Sequence, residues 1–147
     1  MHCNIYFRNY TVYIPTMGRM DKGFYRGVEP VAVISASNAE ALRQALGATI
    51  ARGNPDVPQL LRREWPPPVL LKYAGVKSWS AFERGMSLWN IVEKDGIYHI
   101  AGHTKQPNGM WKEDPEQTIK FAPETSVDTV IDRMVAILQD AARNATS

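Results

Sequence analysis

Apolar residues recur with helical spacing in the first third of the chain. Leu42, Leu46 and Ile50 follow one another at intervals of four, which places them on one face of a helix. The preceding residues 37–40 (SNAE) fit a capping box, in which a serine and a glutamate satisfy each other's free backbone N–H groups. Residues 53–55 (GNP) combine two signals that end helices. The pattern therefore predicts a helix between these signals.

A second apolar stripe at helical spacing lies near the C-terminus, over residues 126–142. Asp128 lies in its first turn, where the helix dipole favours an acidic side chain. The sequence thus predicts a second main helix, followed by a frayed tail over residues 144–147. The stripe consists of Val127, Val130, Ile131, Met134, Leu138 and Ala141.

Aromatic and β-branched residues predict strands in the first half of the chain. Residues 4–14 read as one strand, or as two short strands with a kink near Asn9. Pro15 is expected to end this segment because proline cannot donate to a strand ladder. Residues 30–35 predict a strand that pairs with it. The glycine- and cation-rich residues 16–29 between them predict a flexible basic loop.

The second half contains a clear hairpin signal. Asp95-Gly96 tolerates the positive φ angles of a type I′ turn and separates residues 87–94 from residues 97–105. A further turn at residues 107–109 leads to strand-like residues as far as Phe121. Short helices are expected at residues 69–75 and 78–85.

These elements predict an α+β fold in a single domain, residues 1–147. Its centre is expected to be a mostly antiparallel sheet of about five strands, with the two main helices packed on one face. The length of 147 residues is that of one domain.

Charge and cysteine content exclude several classes of protein. A formal net charge of +2 gives no argument for nucleic-acid or membrane binding. The only cysteine is Cys3, so neither a disulfide framework nor a cysteine-rich zinc site is expected. The first residues do not form a signal peptide, and no apolar run has the length of a membrane span. We therefore expect a cytoplasmic protein.

No catalytic, cofactor-binding or metal-ligating set emerges from the sequence. His99 and His103 are four residues apart, but on a predicted strand this spacing is too long for easy shared ligation of a metal. Cys3 is interpreted as a small strand residue. The chain has no nucleophile elbow and no glycine-rich phosphate loop. A small enzyme built around one of these histidines remains an alternative.

Two surfaces are candidates for binding a partner. Residues 113–116 (EDPE) predict an acidic turn next to Trp111, so the candidate contact residues for a basic partner are Trp111, Glu113, Asp114 and Glu116. Trp65, beside three consecutive prolines, is a second tryptophan whose burial is not assured. Arg19, Lys22 and Arg26 lie with Phe24 and Tyr25, a mixture that can hold phosphate and stack bases. The alternative function is therefore a small RNA or single-stranded nucleic-acid binding module.

Four phrases in the second half of the chain carry a resemblance to a known family. They are residues 74–79 (AGVKSW), 111–117 (WKEDPEQ), 126–132 (SVDTVID) and 137–140 (ILQD). With them the chain resembles the immunity proteins of bacterial contact-dependent growth inhibition, the CdiI class, as found in Burkholderia-like bacteria.

The resemblance implies a cytoplasmic antidote without catalysis of its own. Such a protein binds the C-terminal toxin domain of its cognate CdiA effector, often a nuclease, and blocks the active site or the approach of substrate. No cofactor and no direct nucleic-acid contact are expected. Immunity proteins against basic nucleases are often acidic, whereas the sequence pI here is near 8.7. Either the acidic residues are gathered on one face, or the partner is not strongly basic.

Overall fold

The computed structural model describes residues 1–145, and of Lys22 only the backbone, so Thr146 and Ser147 of the predicted tail lie outside it. Its strands are β1 (His2–Arg8), β2 (Thr11–Arg19), β3 (Tyr25–Ser35), β4 (Ser87–Lys94), β5 (Ile97–Lys105) and β6 (Trp111–Lys120). They form one antiparallel sheet in the order β3-β2-β1-β4-β5-β6. The predicted α+β class and antiparallel sheet are confirmed, with six strands instead of about five.

Helices cover the sheet on both faces. They are α1 (Ala39–Arg52), α2 (Leu70–Ala74), α3 (Trp79–Glu83) and α4 (Val127–Ala145). The long helices α1 and α4 pack side by side on what we call the first face, as predicted, and Arg43 of α1 pairs with Asp132 of α4 at 2.8 Å. The short helices α2 and α3 lie on the opposite, second face. No helix in the described part of the chain combines the length and apolar character needed to span a bilayer.

The main core lies between the first face and the long helices. Alternate residues of β1 and β2 point into it, and the apolar stripes of α1 and α4 close it from above. Cys3 is one of these small strand residues, as predicted, and burial raises the pKa of its thiol to about 12. The completely buried side chains of this core include Ile5, Val12, Ile14, Leu42, Leu46, Ile91, Ile100, Val130, Met134 and Leu138.

An aromatic core holds α2 and α3 on the second face. Tyr6 of β1 and Tyr13 of β2 meet the fully buried ring of Phe82 edge to face, at centroid distances of 5.9 and 5.5 Å. Trp79 stacks on Phe82 at 5.2 Å. Such ring pairs add to the stabilisation that burial alone provides.

The prediction of a basic loop over residues 16–29 is wrong. The chain reverses in a tight turn at Asn9 and Tyr10, both with positive φ, and β2 then continues through Pro15 as far as Arg19. The ladder between β2 and β3 shifts register between Pro15 and Thr16. Because the ladder is already interrupted at this bulge, the missing N–H of proline costs little there.

The local signals of the other elements are largely confirmed. Asp95 and Gly96 both have positive φ in the hairpin between β4 and β5. The cap of α1 differs from the prediction, since the side chain of Asn38, not that of Ser37, accepts from the Ala41 N–H at 3.1 Å. The predicted frayed residues 144 and 145 belong to α4.

Truncation of a leucine in the main core should strongly destabilise the protein. Leu138 is fully buried, so Leu138→Ala leaves a cavity and is expected to lower the free energy of unfolding by roughly 2–5 kcal/mol. Leu61 is 57% exposed, and Leu61→Ala is the matched control with a change below about 0.5 kcal/mol. Chemical denaturation followed by tryptophan fluorescence measures both. Equal losses would contradict the assignment of Leu138 to the core.

Candidate partner-binding face

The short helices cover only one end of the second face. Beyond them lies what we call the open half, which consists of side chains on β1, β4, β5 and β6. His2 is in register with Val92 and His99, and Asn4 is in register with Asn90 and Ala101. Residues in register across neighbouring strands share a face. Because Ala101 is small, the sheet surface is concave above it, and Asn90, His99, Glu113 and Thr118 help to line a depression of about 250 Å³.

Two histidines of the open half carry little charge at neutral pH. Burial lowers the pKa of His2, although a hydrogen bond between its Nε2 and Asn4 Oδ1 at 2.8 Å opposes the shift. Burial also lowers the pKa of His103, against the attraction of the Glu113 carboxylate. Both imidazoles are therefore mainly neutral at pH 7.

Asn90 lies beneath this polar surface. It is 5% exposed, and its amide nitrogen is 3.5 Å from His103 Nε2. Its Oδ1 is buried without a hydrogen-bond partner within the described residues. Buried side-chain oxygens almost always have such a partner.

The acidic segment predicted as a turn lies inside β6, so that prediction is wrong. His103 of β5 pairs with Glu113 of β6, but Ala101 already pairs with Thr118. Residues 114–117 are therefore looped out of the ladder as a bulge. Pro115 lies in this bulge, where the absence of its N–H removes no ladder hydrogen bond.

Asp114 holds the bulge together. One of its carboxylate oxygens accepts from the Glu116 N–H at 3.0 Å, and the other accepts from Gln117 Nε2 at 2.8 Å and from Thr104 Oγ1 at 3.2 Å. Its backbone carbonyl accepts from Thr118 Oγ1 at 2.9 Å. These hydrogen bonds stabilise the ionised carboxylate and lower its pKa. Asp114 therefore shapes the surface, and its carboxylate is already occupied.

The four predicted contact residues have different surroundings. Glu113 is exposed beside the open half, and Glu116 is exposed on the bulge. Trp111 is half-buried against the aromatic core, and its indole nitrogen has no hydrogen-bond partner within residues 1–145. The structure thus leaves Glu113 and Glu116 accessible, makes Trp111 largely a packing residue, and gives Asp114 a structural role.

A groove that the sequence did not reveal lies at the other side of the second face. It has a volume of about 400 Å³ and runs between β3 and the extended proline segment, residues 65–68. We call it the aromatic groove, because Tyr6, Tyr25, Trp65 and Trp79 line it together with Arg26. Tyr25 in turn stacks on His2 at 4.7 Å, so the groove adjoins the open half.

The residues of the predicted basic loop are dispersed. Arg19 ends β2, where its backbone pairs with residues 55 and 57, and the ring of Phe24 is 65% exposed. Of the candidates Arg19, Phe24, Tyr25 and Arg26, only Tyr25 and Arg26 line the aromatic groove. Within the described residues, no three His, Cys, Asp or Glu side chains are placed to hold a metal ion.

The fold is of the α+β class and is built on one antiparallel sheet. The long helices cover one face of the sheet, and the concave, polar surface lies on the other. No protein-family model matches the sequence. No curated protein matches it significantly either.

Solved structures that share this fold include the following two. One is a protein of unknown function from Neisseria meningitidis, with a TM-score of 0.64 at 12% identity, covering 95% of this chain and 93% of that chain. The other is a chain of a CdiA-CT/CdiI toxin and immunity complex from Yersinia pseudotuberculosis, with a TM-score of 0.64 at 10% identity, covering 95% of both chains. At these identities the likeness is one of fold.

The two half-buried histidines should make stability depend on pH. Since the pKa of His2 and of His103 lies below the ordinary value of 6.5, the unfolded chain binds more protons as the pH falls through that value. The free energy of unfolding should therefore keep its highest value above about pH 7. It should decline as the pH is lowered past 6.5 towards the folded-state pKa values.

Denaturation midpoints at about pH 7.5 and about pH 5.5 measure this decline. The double variant His2→Gln, His103→Gln keeps polar side chains that do not titrate. Its stability should therefore fall less than that of the wild type between the two pH values. If the variant and the wild type lose stability equally between the two pH values, the histidines are not the cause.

Proposed function

We propose that this protein is a cytoplasmic immunity protein that binds and neutralises the C-terminal toxin domain of a cognate CdiA effector. The observation that carries the proposal is the fold match along 95% of both chains to a chain of the Yersinia toxin and immunity complex. The phrases in residues 74–140 that resemble the CdiI class support it independently, since they rest on sequence and not on fold.

In this proposal the protein acts by stoichiometric binding and has no catalytic step. A bound protein domain occludes the active site of the toxin or the path of its substrate, and the toxin is proposed to be a nuclease. The open half of the second face suits such a contact. Its neutral His2 and His103 lose less solvation energy on being covered than charged side chains would.

The accessible acids of β6 are proposed as part of the contact surface. Glu113 and Glu116 are exposed, and neither forms an ion pair within residues 1–145. Unpaired rim charges attract an oppositely charged patch of a partner and accelerate association. Trp111 and Asp114 contribute by holding this edge in shape.

Co-expression tests the function directly. The toxin domain encoded by the gene immediately upstream is expressed in a susceptible host with this protein, and growth is measured. We expect growth to be restored, because a tightly bound toxin cannot reach its substrate. The control is the same plasmid with an early stop codon in this gene. Growth as poor as in that control would show that the protein is not an immunity protein for this toxin.

Charge reversal tests the proposed surface separately. The double variant Glu113→Lys, Glu116→Lys should bind the toxin domain about tenfold more weakly, mainly through slower association. Glu124→Lys is the matched control, since Glu124 is also exposed and forms no ion pair within residues 1–145 but lies before α4. Surface plasmon resonance gives both rate constants. Unchanged association rates would place the contact elsewhere on the protein.

A further inference from the structure

The aromatic groove has two sides between which an extended polypeptide chain can lie. The proline segment, residues 65–68, forms one side, and Tyr25 on β3 forms the other. Pro15 and Met17 of β2 contribute apolar lining between them. Trp65 remains 46% exposed, and exposed tryptophans are frequent anchors of protein interfaces.

Arg26 supplies an unsatisfied cation in this groove. Its Nε is buried and has no hydrogen-bond partner, and no ion pair to its guanidinium occurs within the described residues. A guanidinium presents its N–H donors in a fixed plane that matches a carboxylate. The guanidinium of Arg26 thus offers hydrogen-bond donors to the groove for which the described residues provide no acceptor.

The surroundings of the groove add positive charge. Two neighbouring depressions share the proline segment with it, and their linings include Arg62 and Lys77, both exposed and unpaired within residues 1–145. Of the acids nearby, one is paired with a cation and one accepts a backbone hydrogen bond. Glu29 binds Lys72 at 2.6 Å, and Glu64 accepts from the Leu61 N–H at 2.8 Å.

We propose that the aromatic groove receives an extended, acidic segment of the toxin, with one of its carboxylates on Arg26 and its apolar side chains against Trp65 and the prolines. This inference rests on the proposed immunity function and names the chemistry of a second contact. Charge complementarity carries it: the unpaired cation lies in the groove, and Arg62 and Lys77 border it. A nucleic acid would need a row of cations along its backbone, whereas the groove itself contains one guanidinium above an apolar floor.

Binding of the upstream-encoded toxin domain to charge variants tests the inference. Arg26→Glu should weaken binding at least about 30-fold, because it places two acids together in a desolvated site. Arg26→Gln, which removes only the charge, should weaken it less. Arg133→Glu is the matched control, since Arg133 is exposed on α4 and forms no ion pair with the described residues. The affinity of this variant should stay within about twofold of wild type. Thermal unfolding of each variant checks that the fold is intact.

Tryptophan fluorescence gives a second readout of the same binding. Toxin binding should change the emission of the wild-type protein, and Trp65→Phe should remove most of that change. Reversal of a toxin acid to lysine that restores affinity to Arg26→Glu would identify the carboxylate.

Each remaining outcome is decisive. If Arg26→Glu binds as tightly as the wild type, the groove is not the site, although the immunity function stands. If the wild-type protein does not bind the toxin at all, the proposed function fails and this inference fails with it. If a twelve-residue oligouridylate binds in a salt-dependent, Arg26-dependent manner while toxin affinity is unaffected, the groove is a nucleic-acid site and the inference is overturned.

Discussion

Three different environments meet along β1, and the rest of the structure depends on satisfying all of them at once. One side of the strand places Cys3, Ile5 and Phe7 in the main core under the long helices. The other side places Tyr6 against Phe82 of α3 and leaves Asn4 on the open half. Because the period of a strand is two residues, a slip of one position would put the polar residues under the helices. Because the first face must bury apolar side chains under the long helices, the register that achieves this also fixes where the polar side chains lie on the second face.

Signals that act over a few residues predicted their elements well. The stripe of α4 and the Asp95-Gly96 hairpin each follow from local periodicity or turn chemistry. Pro15 and Pro115 misled the prediction, because each lies in a bulge that depends on the pairing of a distant strand. The same limit applies to the binding surface. The exposure of Trp65 was an open question in the sequence, but its position opposite Tyr25 results from tertiary packing alone.

The charge of the chain has a different meaning once it is placed on the fold. The formal net charge of +2 does not describe where the charges of the second face lie. Glu113 and Glu116 lie on β6 at one edge of the sheet, and Arg26 lies on β3 at the other, with the neutral histidines between them. A partner that covers the whole second face would need a complementary division of its own charges. This arrangement accommodates a sequence pI near 8.7 without requiring a uniformly acidic partner.

The bulge that Asp114 ties together also protects the border of the sheet. An outermost strand such as β6 ordinarily offers its free backbone groups as a template for another chain. Here the Glu116 N–H is occupied by the Asp114 carboxylate and Pro115 has no N–H to offer, so the repeat of donors is broken in the middle of the strand. A foreign strand cannot extend the sheet past this point. A partner that contacts this edge would therefore meet side chains rather than a free row of backbone donors.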